Sequence, residues 1–460
     1  MKNVPLLTMV YLLAIPLGFL FVFFNHNPLD SKSDFMTFLM ILSFMYYAIS
    51  KVSEVKTKFI YLFVFAIVCR LIFFIIPPSL SPDYYRFIWD GELLNLGINP
   101  YAYTPDELIS NPIIYGSEYM RLLYHGMTDL SKVHYSNYPV LNQLFFYIPA
   151  YFSDSVQGNV LGLRIIVFLF DIGSIIILRQ LLKLFKINEG KLWLYALNPL
   201  IIIEFTGNLH FEGVMIFFLL LSIYFIVNPK NSSSGWIMAA LFLALSAQVK
   251  LIPLMFIPFF YKKLKWKKSL GFTAATLIVF LLIGQVLWRN PIYVNNMLLS
   301  INDYFVSFEF NSSIFSVVNY FKSKEMGWDT TYIIGPLLSK IAFVLIILLA
   351  ILRHYKSDID MIKGMMFALL IYYTLSTTVH PWYISMVLVL SIFTNYRVGF
   401  IWSLGVFLSY LIYVFSDNPV QILVAKITEY VLVLVVFIRD LILYKRKDVF
   451  SLNLREFFSS

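Results

Sequence analysis

The sequence predicts an all-α polytopic membrane protein, and three observations carry the prediction. Of the 460 residues, 60% are hydrophobic and only 13% charged, whereas a soluble domain carries about 25% charged residues. Several apolar stretches reach roughly 17–25 residues, the length a helix needs to cross a bilayer. Lysine and arginine gather in the short loops between those stretches, as the positive-inside rule requires. Inside lipid the backbone must satisfy its own hydrogen bonds, so helices are the default spanning structure. The short alternating segments of a β-barrel do not occur. The net charge of +9 therefore belongs to topology, and no nucleic-acid partner is expected. The one cysteine, Cys69, lies in an apolar run; it has no internal disulfide partner and no metal-binding spacing.

Spans are predicted near 5–24, 34–50 and 57–77. The first begins MKNVPLLTMVYLLAIPLGFLFVFF; it is long and lacks an A-x-A cleavage site, so it reads as a retained span. A polar segment occupies 78–158 and holds one apolar piece, 138–152, too short to cross. More spans fall near 160–182, 191–206, 211–228, 234–249, 251–261, 269–288, 333–353, 361–378, 382–394, 397–416 and 419–444. Pro253 interrupts the pair around Lys250, which reads as one bent hairpin. The total is about 12–14 transmembrane helices by apolar length. No repeat, coiled coil, long linker or separate soluble domain is visible, so 1–460 reads as a single transmembrane domain.

Orientation follows from the basic residues. Lys51, Lys56 and Lys58 share one loop, and Lys183, Lys186 and Lys191 another. Lys262, Lys263, Lys265, Lys267 and Lys268 form the densest group. Arg353, Lys356 and Lys363 follow, and Lys445, Arg446 and Lys447 close the chain. Counting alternate crossings puts all of these groups on one side, which must be cytoplasmic, with both termini. The other side then receives the 78–158 segment, the turn GNLHFEG (207–213), the Lys250 bend, the loop 289–332 and the turn HPWY (380–383). Every unusual polar cluster faces that extracytoplasmic side of a cell membrane.

The densest cluster is SPDYYRFIWDGELLNLGINPYAY (81–103). Asp83 sits among Pro82, Tyr84, Tyr85, Phe87 and Trp89, surroundings that desolvate a carboxylate and raise its basicity. Such a group suits accepting a proton from a hydroxyl. The plainer alternative pairs Asp83 with Arg86 and leaves Asp90 and Glu92 as solvated loop acids. Lys250, in SAQVKLIPL, is an ionisable residue at membrane depth and a functional candidate by default. It would either snorkel to the interface or hold a lipid phosphate. His210 and Glu212 share a sharp turn, and His380 precedes the helix-breaking Pro381; either histidine could hydrogen-bond or protonate a phosphate. Trp382 and Tyr383 also suit an interface belt. The loop FEFNSS (308–313) offers Glu309 and Asn311, and Asn311-Ser312-Ser313 also reads as a glycosylation sequon. Asp358-Ile359-Asp360 is a D-x-D pair that would suit a divalent metal and a nucleotide-sugar, but it falls in a cytoplasmic loop. The outer loops have none, so no metal and no cofactor are expected.

Several of these segments resemble a known family. SPDYYRFIWDG with GINPYAYTPDE is similar to the first outer loop of membrane glycosyltransferases of the GT-C superfamily. The likeness is greatest to the bacterial polyprenol-phosphate-mannose-dependent mannosyltransferases. YPVLNQLFF (138–146), GNLHFEG, AQVKLIPL, FEFNSS and HPWY follow in the expected order. The chain departs from that pattern in having Phe87 where the family often has a second tyrosine, and in placing three spans before the first loop. The resemblance implies a GT-C-like bundle of a dozen or so spans, with amphipathic helices along its outer face in the first long loop. It implies a polyprenyl-phosphate sugar donor and an acid in that loop acting as base, which is Asp83 here. Arg86, Asp90, His210, Glu212, Lys250, Asn311, His380 and Tyr383 become candidates for substrate binding, and Trp89, Tyr84 and Tyr101 for stacking on sugar faces. The expected activity moves a hexose, mannose first, to a glycan, lipid or protein acceptor by metal-independent inverting displacement. A transporter or flippase of lipid-linked glycans is the alternative; it would usually show inverted repeats.

Overall fold

Pro, Ser, Thr and Asn residues divide the apolar runs into helices of very unequal length. The computed structural model describes residues 6–444 apart from 26, 56, 232–233, 354 and 416–417. Among them 80% are helical and no strand forms. Five helices have the length and apolarity to cross a bilayer: Lys32–Val52, Val156–Leu184, Ile252–Ile283, Thr331–Leu352 and Pro419–Tyr444. A sixth is available if Pro199–Gly207 and Glu212–Val227, bent by 115°, form one span. The chain is an all-α, multi-pass membrane protein.

By length and composition alone, five or six of the described helices qualify by themselves, against the 12–14 crossings expected. The first helix, Leu6–Asn25, has 20 residues, whereas four further apolar helices are shorter: Phe59–Phe74, Gly235–Val249, Pro381–Ile392 and Val398–Val414. At 1.5 Å per residue such pieces extend roughly 15–25 Å, less than the ~30 Å hydrocarbon core. Asp358–Leu375 carries Asp358, Asp360 and Lys363 in its first turns. The runs expected at 251–261 and 269–288 follow one another along Ile252–Ile283, with a break at Lys265, whose backbone is non-helical (φ 61°, ψ 163°). Lys445, Arg446 and Lys447, the first five residues and Lys56 lie outside the described residues.

Buried polar ties hold the bundle. Arg70 Nε donates to Asp171 Oδ2 at 2.6 Å, and Tyr195 OH donates to Asp171 Oδ1 at 2.7 Å. A second arginine nitrogen donates to the carbonyls of Ala66 and Ala196. A buried pair survives desolvation only when hydrogen bonds surround it in this way. Cys69, beside it in sequence, is buried and free.

The 78–158 segment is a chain of short helices: Asp83–Asn95, Pro105–Leu108, Pro112–Gly116, Glu118–Gly126, Asp129–Val133 and Val140–Phe152. Thr104, Asn111, Ser117 and Thr128 cap four of them by accepting backbone N–H bonds, the role these residues favour. Asp83–Asn95 lies tightly on Val140–Phe152. Phe87 stacks on Phe146 at 4.7 Å, and a Cβ on Gly91 would fall 2.3 Å from the Phe146 carbonyl oxygen. Only glycine permits that approach. The contact fixes the start of Asp83–Asn95 against the bundle.

Candidate active site

Asp83 opens its helix directly after Pro82, and its backbone N–H donates to Ser81 Oγ at 3.3 Å. Asp83 lines a cleft of about 190 Å³ that opens to solvent. One wall is Asn137, Tyr138 and Pro139; a second is Lys250, Leu251 and Ile252. Ile301 and Tyr304 form a third, and the run Ser376–Thr378 with His380, Trp382 and Tyr383 closes it. Five distant segments, counting Asp83, therefore meet. Burial pushes the Asp83 carboxyl up to about 6; the Lys250 charge pulls it down and the Glu212 charge pushes it up.

Lys250 reaches the cleft because the helix Gly235–Val249 stops one residue before it. Its backbone is extended (φ −148°, ψ 141°), and Ile252–Phe260 continues as a 3₁₀ helix through Pro253. Its ammonium pairs with Glu212 Oε1. It also stands 5.6 Å from the Tyr383 ring and 6.0 Å from the Tyr138 ring, within cation–π range. The second Glu212 oxygen is buried without a hydrogen-bond partner.

The two histidines belong to one column of rings. His210 lies on Trp382 at 3.5 Å, Trp382 on His380 at 4.5 Å, and His380 on Phe310 at 4.6 Å. Burial, then the Lys250 charge, pushes His380 down to about 3. The imidazole is neutral, so it can donate or accept a hydrogen bond but does not act as a cationic acid. Its Nδ1 is buried without a partner.

The backbone around this column is irregular for identifiable reasons. Ile202–Gly207 is a π-helix, and Leu209 follows at φ 66°; such bulges recur at functional sites. Arg164 holds the turn by donating to the carbonyls of Thr206 and Gly207 at 2.8 and 3.1 Å. Asn208 Nδ2 donates to Glu204 at 3.3 Å, while its Oδ1 accepts from Ser79 and Leu80 N–H. Tyr410 OH donates to the other Glu204 oxygen at 2.9 Å. These bonds tie the segment leading into Asp83 to the His210 turn.

The structure thus brings together Asp83, Lys250, His380 and Tyr383 on the cleft, with Glu212 and His210 one contact behind. The other candidates lie elsewhere. Arg86 is bound to Asp90 at 2.7 Å and to the carbonyls of Ser131 and His134. Asp90 accepts further bonds from Ser136 and Gln143 at 2.6 and 2.9 Å. These bonds tie the first outer helix to its neighbours, and neither residue lines the cleft. Trp89 is fully buried in the core, Tyr84 stacks on Tyr85 at 4.2 Å, and Tyr101 sits behind the wall with its OH on the Tyr138 carbonyl at 2.5 Å. None of the three lines the cleft, so none presents a face to a sugar there.

Asn311 also faces away. Its Nδ2 donates to both Glu429 oxygens at 3.2 and 3.1 Å, so the sequon nitrogen is occupied. Asp358 pairs with Lys263 at 2.8 Å, and Asp360 sits in a helix first turn capped by Ser357; the D-x-D carboxylates are committed to local structure. Tyr138, Tyr304, Tyr372 and Thr377 were not singled out by sequence reasoning. The polar run Ser376-Thr377-Thr378 just before HPWY was the available signal.

A helical membrane bundle that gathers a carboxylate, an ammonium group and ring faces in one cleft has the equipment of a membrane-embedded sugar transferase. The chain belongs to the alpha-(1->6)-mannopyranosyltransferase family, whose N-terminal domain matches residues 35–264, half of its length, and is a mannosyltransferase of the GT-C type. No curated protein and no solved structure matches it significantly. The matched region holds Asp83, His210, Glu212 and Lys250; Asn311, His380 and Tyr383 lie beyond it.

Proposed function

We propose that the protein transfers a hexose, mannose by its family, from a polyprenyl-phosphate donor to an acceptor hydroxyl at the extracytoplasmic face of the cell membrane. The reaction is a single inverting displacement, and both termini are cytoplasmic. The observation that carries this reading is the meeting of Asp83 and Lys250 on one cleft. The acceptor oxygen bonds to the anomeric carbon as the carbon–oxygen bond to phosphate breaks. The hydroxyl proton goes to Asp83, and the bonding pair leaves with the polyprenyl phosphate. Asp83, Glu212 and Lys250 together carry one net negative charge when ionised. Taking the proton brings that to zero just as charge grows on the phosphate. Lys250 and the neutral His380 are placed to receive it, the kind of fixed electrostatic support that lowers such barriers. The lipid-linked sugar is a substrate, so the scheme uses no cofactor and no metal.

The test is incubation of the purified protein in detergent with polyprenyl-phosphate sugars and an α-mannoside, reading released carrier by mass spectrometry and product linkage by NMR. Release of carrier with an α-linked product from a β-linked donor, undiminished by EDTA, is expected. A product that keeps the donor's anomeric configuration would end the single displacement. Movement of intact donor across a bilayer without cleavage would favour the flippase. Activity lost in EDTA and restored by a divalent cation would end the metal-free scheme.

The base must be ionised to act. With Asp83 at about 6, kcat/KM should fall roughly tenfold per unit as pH drops below that value and level off above it. A profile flat down to pH 4.5 would remove Asp83 from the role.

A further inference from the structure

Five lysines stand between Tyr261 and Ser269, and two of them are committed to the bundle. Lys262 Nζ donates to the carbonyls of Ile351 and Arg353 at 2.7 and 2.6 Å. Lys263 Nζ pairs with Asp358 at 2.8 Å. Lys265, Lys267 and Lys268 are exposed, and no described residue pairs with any of them. The acids that open the helix Asp358–Leu375 are already taken, Asp358 by Lys263 and Asp360 by Ser357 and Lys363. Trp266 stands 68% exposed amid these three charges.

The backbone puts this group at the tip of a hairpin. Lys265, at φ 61° and ψ 163°, occupies a region almost confined to glycine, and the chain reverses there. Ser269 Oγ donates to the Tyr261 carbonyl at 3.1 Å, and Phe272 packs on Phe260 at 4.8 Å. Higher up, the Phe280 carbonyl accepts from Gln248 Nε2 at 2.6 Å, close in sequence to Lys250. The tip therefore lies roughly 20 Å along the helix axis from the level of Lys250, at the far end of the hairpin from the Asp83 cleft. The returning arm turns apolar side chains outward: Leu270, Leu277, Ile278, Leu281 and Leu282 are 43–62% exposed. In a membrane protein such a face meets hydrocarbon, so the tip emerges where the lipid headgroups begin.

We propose that the tip Lys265–Lys268 is a binding site for anionic phospholipid headgroups on the membrane surface opposite the Asp83 cleft. A lipid phosphate answers the three ammonium groups that the protein leaves unneutralised. The Trp266 ring suits the layer where acyl chains give way to headgroups. Topology alone does not ask for this arrangement, since lysines tied to the bundle, as Lys262 and Lys263 are, carry the same charge bias. A strained turn that aims an indole and three unpaired charges outward points to a partner outside the chain. The site is independent of the chemistry at Asp83.

Native mass spectrometry of the purified full-length protein, titrated with phosphatidylglycerol or phosphatidylcholine, reads lipid binding without turnover. The wild type should bind phosphatidylglycerol at least about tenfold more tightly than phosphatidylcholine. Lys265→Gln, Lys267→Gln and Lys268→Gln together should remove most of that preference, because each lysine beside a lipid surface is worth roughly fivefold. Arginine at the same three positions should keep it. Lys265→Gly suits the turn while deleting one charge, so it should melt no lower than the wild type and yet bind phosphatidylglycerol several-fold more weakly. That opposition separates lost binding from lost folding. A wild type that binds the two lipids equally overturns the proposal, as does a triple glutamine variant that keeps the preference or a Lys265→Gly variant with unchanged binding. So does displacement of the lipid by an equal concentration of glycerol phosphate, which would make the tip a site for free phosphate.

Discussion

Asp83→Asn is expected to lower mannosyl transfer by roughly 10²–10⁴-fold, the usual worth of a general base. The amide keeps the shape of the side chain but cannot take the hydroxyl proton. Donor binding should change little, because Lys250 and the ring column are untouched. The effect therefore belongs in kcat. Stability gives an independent reading with its own sign. Burial raises the folded-state pKa to about 6 from the ordinary 3.8. Between those values the folded protein holds a proton that the unfolded chain has released, so stability falls as pH rises through the window. At pH 7 the charge costs about 1–3 kcal/mol, and asparagine removes that cost. The variant should melt at or above the wild-type temperature. Near-normal turnover would defeat the base assignment, and a large drop in melting temperature would make the loss of activity a folding effect.

The second large effect is expected at Lys250. Lys250→Met leaves Glu212, which is almost wholly buried, without its counter-charge, and breaking a buried pair this way typically costs 3–5 kcal/mol. Activity would fall for that reason alone, so the single variant decides nothing. Lys250→Met combined with Glu212→Gln removes both charges and should recover most of the melting temperature. Donor affinity should stay weakened by at least about tenfold, the value of a charge-assisted bond to phosphate. A double variant that recovers polyprenyl-phosphate affinity along with stability would reduce Lys250 to the partner of Glu212.

Much of the site was legible because its residues are polar where the chain is greasy. Asp83, Lys250 and His380 each interrupt apolar sequence, and each reaches the cleft. Three neighbours of Asp83 do not line that cleft, for a common reason. Arg86, Trp89 and Asp90 share the helix Asp83–Asn95 with Asp83, and nearness in sequence does not bring them to the cleft. Asp90 is seven residues on, about 10 Å along the axis, where Gln143 and Ser136 receive it. Trp89 points into the core. Which polar residue meets substrate and which meets a neighbouring helix depends on packing partners far away in sequence.

Helix positions were readable from apolar length, but which of them reach the length of a span by themselves was not. Every residue of Ile384–Ile392 is buried by other helices. Protein interior and hydrocarbon demand the same composition, so a short core helix looks like part of a span. The breaks at Lys250 and Pro381 were visible, because proline cannot continue the hydrogen-bond ladder.

The column His210–Trp382–His380–Phe310 draws one plate from the first half of the polypeptide and three from the second. A fragment ending where the family match ends, at residue 264, would keep acid and ammonium yet lose the facing wall. The cleft is therefore a joint product of both halves of the chain, and its His380–Trp382 side exists only once the C-terminal half has packed against the first.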